Sequence, residues 1–309
     1  MSAAWIAGGV RARLLATERR LGAEGARELA ASPSLREALV ALARTPYRRG
    51  IGLELDLAGA QRALMTKTLL ELRLLAGWLP GDALGLLRAL AAWYELANIE
   101  DRISYLAGGP LRPPFELGSL AVAWPRAAEA QSLDELRRAV AASSWGNPGG
   151  ETPAQVGLGL RLAWARRVAS EVPEARLWAA GASALLLARE LFVVGLPVEL
   201  LPLPSFRLLG SGWQVAGTFE RFVHALPADA AWSLTGISAP EELWRAEALW
   251  WRQLEADAQT LLHARLADRQ VVIGGAALLA ADARRVATVL AAVARRGLRG
   301  VEEVLDAAA

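Results

Sequence analysis

Cysteine is absent from the 309 residues of this chain, which also has only two histidines and one lysine. Without cysteine there can be no disulfide scaffold, thiol nucleophile, iron–sulfur cluster or Cys-based zinc site. His224 and His263 stand in no HExxH pattern, which excludes a histidine-rich metal centre. These absences argue against a hydrolase or an oxidoreductase, and we expect no cofactor, no metal and no catalytic residue. Each histidine is interpreted as a packed or surface residue and not as a general base.

Phosphate-binding patterns are also lacking. Lys67 follows Thr66, so no GxxxxGK loop exists, and Gly157-x-Gly159 has neither the third glycine nor the preceding strand of a dinucleotide site. No GxSxG elbow occurs, and no DDxxD cluster that would suit an all-α prenyl transferase or synthase. We therefore expect a non-catalytic protein that does not bind ATP tightly.

Charge of one sign is nowhere in large excess. The chain has 34 basic and 32 acidic residues, a net charge of +2, and along it arginine alternates with glutamate and aspartate. A nucleic-acid interface would need basic residues clustered on one face with aromatic residues between them. The alternation is typical of solvated helix faces, so we expect no nucleic-acid partner.

Apolar runs are numerous but short. Mean hydropathy is +0.26, yet the longest runs, 177–188 and 270–281, lie between charged residues and fall short of the roughly 18 residues that a membrane span needs. No cleavable signal pattern begins the chain. We expect a cytoplasmic protein without direct transmembrane insertion.

Helical signals dominate what is present. Ser-x-x-Glu patterns occur at Ser34/Glu37, Ser132/Glu135 and Ser238/Glu241, where the serine oxygen can accept a backbone N–H of the first helical turn. Strand-like alternation is nearly absent. The sequence predicts an all-α fold with long helices at 56–79, 82–107 and 240–266, and with separate helices at 272–281 and 283–296.

Two Pro- and Gly-rich breaks divide the chain. They lie at 108–114 and 201–212 and cannot continue a helix. Each resulting third ends in a leucine-rich helix and a Gly-rich stop, which indicates a weak three-fold internal repeat. We predict three helical lobes, 1–110, 111–212 and 213–309.

The most polar group within an apolar helix comprises Glu95, Asn98, Glu100 and Asp101. One interpretation is a paired-carboxylate site that joins Glu95 to Glu100 or Asp101. The other is structural: a buried Glu and Asn satisfy backbone groups of an adjoining helix end. We favour the structural interpretation and expect Asn98 to be buried and hydrogen-bonded.

Tryptophan is unusually frequent, with 12 residues against five phenylalanines. Trp244, Trp250 and Trp251 lie on one predicted helix, and the last two are adjacent, so they cannot both face one direction. Such residues serve either an interface with a partner or packing between parts of the same chain.

The segment Leu90–Ile99, which reads LAAWYELANI, resembles a pattern in the C/d family of V/A-type ATPases, whose members form the socket of the central stalk. In that family an acidic residue, Leu or Ile, any residue, Asn, and Ile or Leu follow one another on a long helix. Glu95, Asn98 and Ile99 fall on the acidic, Asn and aliphatic positions. Three further patches look similar: Val10–Leu14, the helix with Arg62, Lys67 and Leu72, and the stretch from Ala277–Leu279 through Arg295–Leu298.

The chain also departs from the family. Gly9 stands where Asn is frequent, Ser104 where a basic residue is common, and Gly195 and Pro197 interrupt the helix of the middle third. The resemblance implies a funnel of three similar helical lobes with pseudo-three-fold symmetry. It also implies a non-catalytic rotor subunit in ion transport, proton transport included. As a peripheral protein on the cytoplasmic face, it would link the central stalk to the membrane rotor ring and transmit torque during ATP hydrolysis or ATP synthesis. The alternative is a free-standing all-α scaffold or adaptor without a rotary role.

Overall fold

The computed structural model describes residues 3–202, 208–265 and 268–295, and these residues form helices and no strand. The predicted all-α fold class is therefore confirmed. The α-helices, in chain order, are α1 Ala3–Glu18, α2 Gly22–Ala30, α3 Leu35–Leu42, α4 Leu57–Ala76, α5 Leu84–Leu106, α6 Trp124–Ala127, α7 Leu133–Ala141, α8 Pro153–Glu171, α9 Arg176–Arg189, α10 Phe219–Ala225, α11 Ala228–Ala231, α12 Leu243–Leu262 and α13 Arg269–Ala294.

Side-chain caps fix where several of these helices begin. The hydroxyl or carboxylate of the residue before the helix accepts a backbone N–H of the first turn, which has no helical partner. Ser34 and Ser132 act in this way, as predicted, at 3.3 and 3.2 Å from the N–H groups of Glu37 and Glu135. At the third predicted box the acceptor is Glu242 instead of Glu241, because the carboxylate of Glu242 binds both the N–H and the hydroxyl of Ser238 at 2.9 Å.

The chain divides into two compact units. Unit 1 comprises Met1–Leu84 and Trp251–Ala309, and unit 2 comprises Gly85–Trp250. The three-lobe arrangement with boundaries near 110 and 212 is not tested by this division and stays a prediction.

Unit 1 is organised around α13, which α1, α2, α3 and α4 all contact. Most of α13 is buried, and small residues let its neighbours approach closely. A Cβ at Gly275 would lie 3.1 Å from the backbone oxygen of Ala12, and a Cβ at Gly274 would lie 2.5 Å from that of Ala258. The prediction of two helices, 272–281 and 283–296, is wrong, since α13 runs unbroken through Asp282, which is fully buried.

Unit 2 has a core in which α5, α7 and α8 meet. Leu96 and Ile99 of α5, Leu136 of α7 and Leu160 of α8 belong to one buried cluster, together with Trp145 from the connection between α7 and α8. Further along the chain, α8 packs on α9 and α9 packs on α11. The helix that carries Glu95 and Asn98 is thus a core element of its unit.

A supersecondary motif occurs in both units, with equivalent residues 98 positions apart. Thr45 and Ser143 each donate a side-chain hydrogen bond of 2.7 Å to the carbonyl three residues earlier. Each hydroxyl then accepts the N–H of an aromatic residue two positions later, Tyr47 or Trp145, at 3.2 Å. Both turns therefore place a large aromatic side chain in the core between a short capped helix and a long one.

Two glycines of α8 offer a matched test of close helix approach. A Cβ at Gly159 would lie 1.8 Å from the carbonyl oxygen of Pro148, whereas the nearest atom to a Cβ at Gly157 is Glu100 Oε1 at 3.6 Å. We expect Gly159→Ala to lower the free energy of unfolding by about 1–3 kcal/mol through overpacking. Gly157→Ala should raise it by about 0.5–1 kcal/mol through helix propensity. Urea unfolding of both variants checks this, and equal effects would contradict the described packing.

Candidate functional site

Glu95 is the most heavily hydrogen-bonded side chain of unit 2. Its Oε1 accepts the backbone N–H groups of Val122, Ala123 and Trp124 at 2.6, 2.8 and 2.8 Å. Its Oε2 accepts the indole N–H of Trp145 at 2.7 Å. The side chain belongs to a residue only 1% exposed, so these bonds replace water as the source of its solvation.

The three backbone donors explain why a carboxylate is needed at this point. They belong to the first turn of α6 and the residues before it, where N–H groups lack helical acceptors and the helix dipole is positive. Trp124 has proline as its neighbour on the C-terminal side, and no side chain of the segment itself caps this end. Glu95 thus caps a helix that follows it in the sequence and joins α5, α6 and the Trp145 turn at one atom group.

Asn98 performs a similar task one turn further along α5. Its Nδ2 donates to the carbonyl oxygen of Phe115 at 2.9 Å, and its Oδ1 accepts the N–H of the same residue at 2.6 Å. Asn98 is fully buried, and both bonds satisfy backbone groups of an irregular segment that has no secondary-structure partner. The expectation that Asn98 is buried and hydrogen-bonded is confirmed.

Glu100 and Asp101 have partners of their own. Glu100 Oε1 accepts from Arg161 Nε at 2.8 Å, and Asp101 Oδ1 accepts from Arg112 at 3.1 Å. Burial raises the pKa of Glu100, and the positive charge of Arg161 opposes this shift. Because the carboxylate of Glu95 is occupied by four N–H groups, the arrangement supports the structural interpretation and not a paired-carboxylate site.

Unit 1 contains an equivalent anchor that the sequence analysis missed. Asp282 of α13 accepts the backbone N–H groups of Leu21 and Gly22, both at 2.8 Å, at the start of α2. Its Oδ2 also accepts the hydroxyl of Tyr47 at 2.7 Å. Tyr47 and Trp145 are the equivalent aromatic residues of the repeated motif, so both units use a buried carboxylate to join a helix start to this turn. The one signal in the sequence was an aspartate in the middle of a long run of small and apolar residues.

Lys67, the one lysine, lies beside this anchor and is 5% exposed. Its ammonium donates to the carbonyl oxygen of Arg19 at 2.6 Å. It also lies 3.9 Å from Glu71 Oε1 and 4.5 Å from the centre of the Tyr47 ring. Burial lowers the pKa of Lys67, while the negative charges of Glu71 and Asp282 oppose the shift. The lysine thus ties α4 to the end of α1.

Two arginines extend the polar contacts of unit 1. Arg285 forms ion pairs with Glu255 and, at 3.6 Å, with Asp282. Arg13, in the N-terminal patch that resembles the C/d family, donates to the carbonyl oxygen of Leu262 at 3.0 Å and to that of Ala264. Because these carbonyls lie at the end of α12, Arg13 acts as a C-terminal cap. In the other resembling patches Leu72, Leu278 and Leu279 are buried, and residues 296–298 lie outside the described ranges.

Both histidines lie on helix surfaces, as predicted. Nδ1 of His224 is 2.8 Å from the carbonyl oxygen of Glu220, and Nδ1 of His263 is 2.7 Å from that of Gln259. Both contacts link residues four apart on one helix, so each ring makes a local bond. Across the described residues no group of three or more His, Asp or Glu side chains could hold a metal ion.

The three tryptophans of α12 have different surroundings. Trp244 is exposed, Trp250 donates its indole N–H to the carbonyl oxygen of Trp178 at 2.9 Å, and Trp251 packs 5.3 Å from the guanidinium of Arg284. Packing within the chain therefore explains Trp250 and Trp251, and Trp244 leaves the interface interpretation open.

One helix, among the residues described, is long and apolar enough to cross a membrane by length and composition. It runs over Pro173–Val194, and its best window has a mean hydropathy of 1.6. Of that window, 44% is buried inside the structure. The core helix of a protein in water passes the same test, so a single helix of this kind is weak evidence for a membrane span.

The chain matches no protein-family model and no curated protein. The similarity to the C/d family therefore depends on the residues quoted above, and family membership stays a prediction.

Substitution at the Glu95 anchor gives a sharp test of its role. Glu95→Gln leaves the indole N–H of Trp145 facing an amide that presents donors, and a buried unsatisfied donor costs about 1–3 kcal/mol. Trp145→Phe removes that donor, so the double variant should lose less unfolding free energy than the two single variants together. Chemical denaturation of the four proteins measures the coupling. Strict additivity would contradict the described bond.

Asn98→Leu should lower the free energy of unfolding by about 2–4 kcal/mol, because it leaves both the N–H and the carbonyl of Phe115 buried without partners. Glu100→Gln on the same helix is the control and should change it by less than about 1 kcal/mol, since Glu100 pairs at a partly exposed position. Urea unfolding checks both. An Asn98→Leu protein as stable as the parent would contradict the structural role.

The lowered pKa of Lys67 predicts a pH dependence of stability. The unfolded chain holds this proton up to higher pH than the folded chain, so the free energy of unfolding should rise with pH between the folded pKa and the ordinary value of 10.5. The contribution is complete above that value and is lost as pH falls through the folded pKa. Stability of the parent relative to Lys67→Met should therefore increase over this window. The pair is best compared in a Tyr47→Phe background, which removes a neighbouring titrating group, and a falling difference would contradict the assignment.

Proposed function

We propose that this chain is a non-catalytic subunit of a V/A-type ATPase that links the central stalk to the membrane rotor ring and transmits torque. The observation that carries the proposal is the pair Glu95 and Asn98. These two positions bear the resemblance to the C/d family, and both are buried anchors that hold backbone segments of unit 2. A pattern with a demanding structural task is a better mark of a common fold than one made of surface residues.

Stiffness is the physical property that such a role requires. A part that passes torque between two partners must not deform under load, so its helices need contacts that resist sliding. Glu95 and Asp282 each join three segments through charge-assisted bonds, which are stronger than neutral ones. Close approaches such as Gly274 against Ala258 leave little room for movement.

Exposed apolar side chains supply surfaces for partners. Large apolar residues with more than a third of their surface exposed occur in both units, among them Trp78 in unit 1 and Trp244 in unit 2. Tryptophan is enriched at the energetically important positions of interfaces. In this proposal the partners are the stalk subunits and the ring, and the protein is peripheral to the cytoplasmic face of the membrane through that assembly.

Association with isolated stalk and ring subunits tests the proposal. We expect capture of both, weakened only modestly when salt rises from ~0.05 to ~0.5 M, because screening removes surface ion pairs and leaves packing and hydrogen bonds. The catalytic subunits alone, which the proposed position does not contact, serve as the control bait. Failure to bind stalk or ring at either salt would leave the free-standing scaffold as the better interpretation. Loss of binding only at high salt would show that arginine ion pairs dominate the contact.

A further inference from the structure

Two apolar stripes lie exposed on neighbouring helices of unit 1. Residues four apart fall on one side of a helix, and α1 and α4 each present three such residues with 38 to 54% of their surface exposed: Ile6, Val10 and Leu14, and Leu70, Leu74 and Trp78. A set of large apolar side chains in regular helical spacing is a mark of an interaction surface, whereas single exposed leucines are ordinary.

The two helices form one layer. Lys67 of α4 bonds to the carbonyl of Arg19 just beyond one end of α1, and a Cβ at Gly8 near the other end would lie 2.4 Å from Leu79 Cδ2. The helices therefore run antiparallel and side by side. Both also pack on α13 through other residues, including Ala12 against Gly275. The exposed stripes consequently belong to the outer side of this layer.

Positive charge surrounds the stripes. Unit 1 has 20 basic residues against 15 acidic ones, a net charge of +5, and unit 2 has 14 against 17, a net charge of −3. On α1, α4 and the two residues after α1, the acidic residues are Glu18 and Glu71, and Glu71 is buried beside Lys67. Six arginines belong to the same segments: Arg11, Arg13, Arg19, Arg20, Arg62 and Arg73. The near-zero charge of the whole chain thus conceals an uneven distribution.

We propose that the α1–α4 layer is a docking surface for an anionic lipid headgroup layer. Interfacial helices combine an apolar side that includes Trp and Leu with basic flanks, and they lie in the plane of the membrane. Ile6, Leu14 and Trp78 would enter the boundary between headgroups and acyl chains, and the excess charge of unit 1 would add attraction to an anionic leaflet. An outward-facing surface on two adjacent helices suits a continuous headgroup layer, and the positive charge selects an anionic one. This proposal does not depend on the rotary role, since it needs no ring.

Co-sedimentation with vesicles tests the proposal on the full chain. The vesicles are phosphatidylcholine alone and phosphatidylcholine with phosphatidylglycerol, each at low and high salt. The parent should sediment with the anionic vesicles at low salt and far less with the neutral ones. Leu74→Glu should weaken this binding about tenfold, because it places a charge in the apolar stripe. Val215→Glu, at a residue of unit 2 that is 87% exposed, adds the same charge elsewhere and should change binding little.

Each alternative has its own outcome. No sedimentation of the parent with anionic vesicles overturns the proposal, and so does equal weakening by the two substitutions. Self-association in light scattering that Leu74→Glu abolishes, without vesicle binding, would make the layer a contact between copies of this chain. Loss of stalk or ring capture in Leu74→Glu, without vesicle binding, would make it a protein interface, and both results overturn the lipid assignment. Circular dichroism melting confirms that each variant is folded, and Val10→Glu on α1 replaces Leu74→Glu if that variant does not fold.

Discussion

The buried carboxylates of Glu95 and Asp282 each accept backbone N–H groups at the start of a helix, and the remaining structure of each unit depends on this interaction. Those N–H groups have no helical acceptor, and burying them without a partner costs about as much as a hydrogen bond is worth. A carboxylate presented by a long helix satisfies several at once. It also fixes the height and rotation of that helix against the short helix it caps, because the donors of a first turn converge on a small volume.

The aromatic partners complete the constraint. Trp145 and Tyr47 each give one hydrogen bond to the carboxylate and contribute a large apolar surface to the surrounding core. The polar end of the ring sets its orientation, and the ring then limits how the neighbouring leucines pack. Polar and apolar packing are therefore coupled in both units, and a change in either the acid or the aromatic residue disturbs both.

Local signals made much of this predictable. The caps at Ser34 and Ser132 depend on residues three apart, and the burial of Asn98 follows from the apolar helix around it. Partners distant in sequence were not predictable. Asp282 binds residues more than 250 positions away, and nothing in the run around it names those donors. For that reason α13 was predicted as two helices, although a buried aspartate with satisfied oxygens does not interrupt a helix. The role of Glu95 as a helix cap was expected in kind, while its donors at Val122, Ala123 and Trp124 were set by tertiary packing.

Lys67 has a consequence for following the protein in solution. It carries the one lysine side-chain amine of the chain and is almost inaccessible at the junction of α1 and α4. A protease that cleaves only after lysine has a single target here, and it can act only when that junction opens. Cleavage at this one bond would thus report the opening of unit 1 without any label, and its rate under native conditions would give the free energy of that local event.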